Sequence, residues 1–137
     1  MLRRIRELAT RKETFAFETT MASRSFLPFL NQCKRQGYRV QLIYIWLMSA
    51  DLSVARVAQR VECGGHHVPE KIIRTRYQRG LQNFLSLYSP IADGWALYDN
   101  SSNGPLLIAE KSKREEIRVV IPDLWSTFQE AFHESAR

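Results

Sequence analysis

The chain has 137 residues, of which 45% are hydrophobic, 11% aromatic and 25% charged. That profile excludes a disordered or fibrous chain and suits one domain able to bury a sizeable core without staples. A net charge of +6 with a sequence pI near 9.7 favours an anionic partner, whether nucleic acid, phosphorylated metabolite or membrane surface, and charge alone does not choose among them.

Taken in chain order, Leu2, Ile5, Leu8 and Ala9 recur at helical spacing and predict a helix over 2–11. Phe15-Ala16-Phe17 reads as a short buried strand ending at Glu18-Thr19-Thr20. Ser23 caps a second expected helix, which carries Pro28 and stops at Gly37. Val40 to Leu47, VQLIYIWL, is nearly continuous and rich in β-branched and aromatic residues, the pattern of a parallel strand covered on both faces. Strand, helix, strand then predicts a right-handed βαβ unit. A third helix is expected over 51–61, broken by Gly64-Gly65, and a long fourth over 70–88 behind Pro69. Further strands are expected at 95–98, 106–109 and 117–121, and Pro122 opens a last helix over 123–134. The alternation predicts an α/β layered domain.

The two cysteines, Cys33 and Cys63, make no disulfide framework, so a reducing cytoplasm is the expected compartment. The longest apolar run is too short to span a bilayer, and MLRRIRELATRK has no apolar signal core; no membrane partner is expected. Cys63, His66 and His67 have partial zinc-ligand spacing, but a closed site wants four ligands and no second cluster supplies them, so no metal is expected. Nucleic acid has only the net charge behind it. Phe26, Phe29, Phe84, Tyr88 and Trp125 read as core.

The densest chemical signal is 56–79. Arg56 and Arg60 share a helix face, and Lys71, Arg74, Arg76 and Arg79 follow across a Gly-Gly turn rich in backbone donors. Guanidinium forks on two adjacent helices can match phosphate oxygens in pairs. The alternative reading is a solvated helical face.

The run GGHHVPEKIIRTRYQRGL, then Asn83, Tyr88, Ala92-Asp93, Trp95 and Tyr98-Asp99-Asn100-Ser101, resembles the lid and following strand of zeta-toxin-like P-loop kinases. FAFETT, Ser23, Arg24 and the IYIWL strand also match, so the resemblance reaches about Ala109, with a divergent tail over 111–137. It implies a P-loop kinase-like parallel sheet flanked by helices, which moves the γ-phosphoryl group of ATP, with Mg2+, to a small phosphorylated or nucleotide-linked acceptor. It places Arg60 and Arg76 as catalytic lid arginines offsetting charge during transfer. Arg56, His66, Arg74 and Arg79 would accompany them at the phosphates. Glu18, Thr19, Thr20 and Arg24 would lie beside the substrate at the carboxyl end of a sheet strand. An antitoxin partner is a further family expectation.

One departure stands out. A phosphate-binding loop needs G-x-x-x-x-G-K-[ST], and no glycine here precedes a lysine. Relative to the family, that loop and the first strand are missing, as expected of an N-terminal truncation, a misplaced start or half of a split gene. The expectation is a single truncated domain over 1–137, inactive alone, with unpaired strand edges that invite a homo-oligomer or a separate N-terminal segment. The alternative is a non-catalytic module that binds substrate or partner.

Overall fold

The computed structural model describes residues 1–112 and 114–137. Helix α1 (Leu2–Thr10) buries Ile5 and Ala9, the positions its apolar spacing selects. Helix α2 (Phe26–Arg35) buries Phe26, Phe29, Leu30 and Cys33 on one stripe. It starts later than Ser23 suggests: Ser23 Oγ instead accepts the backbone N–H of Ser25. Pro28 falls in the first turn, where backbone N–H groups have no helical partner to lose. Gly37, at φ +93°, ends α2 with the paired bonds Gly37 N to Lys34 O and Tyr38 N to Cys33 O.

Strand β1 (Gln41–Trp46) leads into helix α3 (Ala50–Glu62), which Ser49 caps by accepting the N–H of Leu52. Helix α4 (Glu70–Asn83) widens at Phe84–Tyr88 into a π turn, with Ser89 N donating to Phe84 O. Strands β2 (Gly94–Asp99), β3 (Leu106–Ser112) and β4 (Arg118–Val119) precede helix α5 (Pro122–Ser135), which has proline in its first turn.

The fold is α/β, with one four-stranded sheet in the order β1-β2-β3-β4. It is mixed where a parallel sheet was expected. Only β1 and β2 run parallel, joined by the α3–α4 crossover; β2–β3 and β3–β4 are antiparallel. The reason is connection length: the short turn after Asp99 allows only a hairpin, whereas a parallel return needs a crossover. The βαβ unit therefore lies one step later than the sequence suggests. Residues 15–20 belong to no strand, and Phe15 and Phe17 are half-buried. Among the described residues, no backbone group of 14–20 bonds to another backbone group.

The core lies on one face of the sheet. Leu81, Phe84, Leu97, Ile108, Ala109 and Phe128 are fully enclosed. Phe84 stacks on Tyr44 at 4.6 Å and meets Trp95 edge-on, while Phe128 of α5 stands edge-on to Trp46. The tail, for all its divergent sequence, thus supplies a central core side chain. Residues Leu42, Tyr44 and Trp46 of β1 face this layer, and Ile43 and Ile45 face away, 62% and 57% exposed. The strand is covered on one face, not on both. No helix among the described residues is long and apolar enough to cross a membrane.

Candidate phosphate-binding site

A trough of about 1250 Å³ runs between residues 15–21 and β1, and opens at its far end onto α3 and α4. Several tethers hold its N-terminal wall. Tyr38 Oη donates to Glu13 O, Asn83 Nδ2 to Met21 O and Tyr88 Oη to Ser23 O. Met21 is buried with φ +58°, a left-handed conformation that costs a non-glycine residue free energy and persists only where surroundings enforce it. Gly80 lets α4 approach that wall: a Cβ there would lie 2.5 Å from Thr20 O. The hydroxyls of Thr19 and Thr20 accept the N–H groups of Met21 and Ala22, closing the turn.

The lining contains four arginines, Arg39, Arg56, Arg60 and Arg76, and a single acidic residue, Glu18. Their situations differ. Arg56 is half-buried and donates to Asn100 O at 3.0 Å and to Ser101 O, so it ties α3 to the end of β2. Arg60 and Arg76 are exposed, and neither guanidinium has a hydrogen bond or ion pair among the described residues. They project from the facing helices α3 and α4 into one space. A pair of unengaged guanidinium forks in a basic concavity is a receptor for phosphate oxygens.

Of the other residues the sequence singles out, Glu18, Thr19 and Thr20 line the trough, and Arg24, His66, Arg74 and Arg79 do not. Arg74 is engaged by Asp51 at 2.6 Å and by Glu70 at 2.9 Å, clamping the start of α4 to the start of α3. His66 is exposed in the turn between those helices. The Gly-Gly turn is not the free donor set it resembles in sequence. Gly64 N donates to Val61 O and Gly65 N to Arg60 O, the paired bonds that close the end of α3, with Gly64 at φ +93°. Among the described residues, no group of three or more His, Cys, Asp or Glu is placed to hold a metal ion.

Sequence reasoning missed two contributors. Arg39, just before β1, adds charge at the opposite end of the trough. Tyr77 donates to Leu47 O and accepts from Trp46 Nε1, locking α4 to the end of β1 one residue beyond Arg76. Burial raises the Tyr77 phenol, against a smaller lowering by the Trp46 bond. Burial, reinforced by Tyr77, drives Tyr44 far above the ordinary phenol range, so both phenols stay neutral. Arg39 had no spacing partner to mark it, and Tyr77 reads as one more aromatic on a helix.

Residues 2–102 include β1, the α3–α4 arginine hairpin and the turn at 99–101. The zeta toxin family profile matches residues 2–102. The chain belongs to the zeta toxin family. A protein of Haemophilus influenzae described as uncharacterized is 33% identical over 63 residues, 46% of this chain and 45% of that protein. The matched part of the chain thus spans about half the length of this curated relative. No solved structure matches.

Proposed function

We propose that the trough binds the polyphosphate of a nucleotide, ATP in the first instance, between Arg60 and Arg76, as a part of a zeta-toxin-like kinase. The observation that carries this reading is that these two arginines are unengaged in one concavity, whereas Arg56 and Arg74 are tied to the protein. ATP would supply the phosphoryl group when bound, and Glu18, Thr19 and Thr20 line the wall where a small phosphorylated or nucleotide-linked acceptor would sit. The guanidinium pair fits phosphate. The backbone cradle does not: Gly64 and Gly65 use their N–H groups on α3, Gly80 is packed on Thr20, and no Gly-Lys pair occurs. Glu18 is also the sole carboxylate in the lining, which is a poor match to Mg2+ unless phosphate oxygens supply most of the ligands. The reading is therefore phosphate binding without transfer by these 137 residues alone. A non-catalytic binding role is favoured by the same lack of a cradle.

Calorimetric titration of the chain with Mg-ATP tests this. Binding is expected on the order of millimolar Kd, and the Arg60→Ala, Arg76→Ala double variant is expected to weaken it at least about tenfold. No ADP should form. Equal binding by the variant, or no binding by the parent chain, would remove the phosphate reading; ADP formation would remove the claim that transfer needs more than this chain.

A further inference from the structure

The net charge of +6 is not spread over the molecule. Residues 1–39 hold nine lysines and arginines against three acidic residues, and residues 40–137 hold eleven of each. The whole excess therefore lies on α1, α2 and the turns beside them. Part of it has a structural reason. Lys34 donates to Ile91 O beside Asp93, and Arg35 ends α2, where the helix dipole favours a cation. That reason does not extend to α1. Its first turn carries Arg3 and Arg4 and no acidic residue, at the end where the dipole disfavours positive charge.

The packing of α1 beside α2 gathers this charge. Tyr38 Oη donates to Glu13 O, which brings the C-terminal ends of the two helices together, Arg11 and Lys12 on one and Arg35 on the other. Between the helices lies a cleft of about 200 Å³, which shares only Cys33 with the trough. Its floor is the buried Ala9, Phe29 and Cys33, and its rim carries the exposed Arg6, Gln32 and Gln36. None of these three rim side chains has a hydrogen bond or ion pair among the described residues, nor have Arg11, Lys12 and Arg35. Pockets for whole small molecules start at about 300 Å³, so the cleft suits one group of a larger ligand. Its unengaged donors suit an anionic oxygen group, and the cations around it suit a ligand in which that group repeats. The face has no apolar anchor: Met1 is the only exposed large hydrophobic residue of 1–39. A protein partner seats on apolar or aromatic side chains at the centre of its interface. A lipid surface takes a helix by its apolar side, which α1 turns into the core with Ile5 and Ala9. Single strands stack on exposed rings, and no aromatic side chain of 1–39 is exposed. The backbone of a duplex needs none of these features.

We propose that the α1–α2 face binds the phosphate backbone of duplex nucleic acid, without regard to sequence. One phosphate sits in the cleft against Arg6, Gln32 and Gln36, and its neighbours lie on Arg11, Lys12 and Arg35. The proposal does not depend on nucleotide binding in the trough.

The test is fluorescence anisotropy of a labelled mixed-sequence duplex of about 20 base pairs, as DNA and as RNA, titrated with the purified chain. Saturable binding of at least one is expected, and the tighter of the two identifies the source of the backbone. With about four phosphate contacts, affinity should fall roughly a hundredfold between about 50 and 200 mM salt. The triple variant Arg6→Gln, Arg11→Gln, Arg35→Gln changes only exposed side chains and keeps good helix formers, so it is expected to fold. It should bind at least about tenfold more weakly, with a log–log salt slope shallower by about two to three. If circular dichroism shows it unfolded, Arg6→Gln alone should make the slope shallower by about one. The Arg60→Ala, Arg76→Ala variant of the trough should keep the parent's slope. Absence of binding to both duplexes, a triple variant that binds like the parent, or loss of binding in the trough variant overturns the proposal. So does capture by phosphatidylserine vesicles of a chain that ignores both duplexes, which would assign the face to a membrane.

Discussion

The two faces of β1 have nearly the same composition and opposite fates. Leu42, Tyr44 and Trp46 point into a layer built by α4, its π turn and α5, where Tyr44 stacks on Phe84 and Trp46 meets Phe128. Ile43 and Ile45, equally apolar, point away and remain more than half exposed. The difference is not in the strand. It lies in whether a second layer reaches that face, because a sheet face is buried only by what packs on it. The closed face therefore carries the stability of the domain, and the open face and its edge are free to carry an interaction.

The contrast breaks most sharply at Phe84. Its ring is fully buried between Tyr44, Trp95 and Phe128, so Phe84→Ala removes contacts from three aromatic partners at once. A loss of about 3–5 kcal/mol is expected, read as a lower midpoint in urea at unchanged slope. A loss below about 1 kcal/mol would mean that the closed face is not the packed core described above.

Much of the closed face was legible in the sequence, and little of the open one. Phe84 and Tyr88 read as core, the helical period placed Ile5 and Ala9 inward, and Gly37 and Gly64 marked the ends of α2 and α3. These signals are local. Whether FAFETT forms a strand depends on a neighbour to pair with, which no local pattern contains. A continuous apolar run cannot report that one of its faces is bare. Nor can spacing distinguish Arg56 and Arg74, tied to carbonyls and carboxylates, from Arg60 and Arg76, which are not. The Gly-Gly turn misled for the same reason: its donors were counted from composition, and the end of α3 uses them.

An intermediate effect is expected where the two regions meet. Gly80 is buried in α4, with the Thr20 carbonyl against it. Alanine would be the better helix former, by about 1 kcal/mol. Yet its Cβ would sit 2.5 Å from Thr20 O, a backbone atom that moves only with the whole wall held by Asn83 and Tyr88. Gly80→Ala is expected to cost a net 1–3 kcal/mol or so. It should also admit protease cleavage within 15–20 while the core amides of β2 stay protected from exchange. A stabilised variant with an unchanged cleavage pattern would show that α4 and the 18–21 turn are not in contact in solution.

The smallest effect is the most direct test of the open face. Ile45→Thr keeps a β-branched side chain suited to a strand and removes apolar surface that is already mostly in water. In the chain alone, the unfolding midpoint should move by no more than about 0.5 kcal/mol, whereas Leu42→Ala, one face over, should cost about 2–5 kcal/mol. If the two substitutions cost alike, Ile45 is covered in solution, and the face must be closed by self-association. Repeating the pair across a hundredfold range of protein concentration (roughly, enough to shift any weak dimer) separates the cases. An Ile45→Thr cost that grows with concentration reports a second copy, and one that stays small at every concentration leaves β1 with an apolar face that only a different partner can cover.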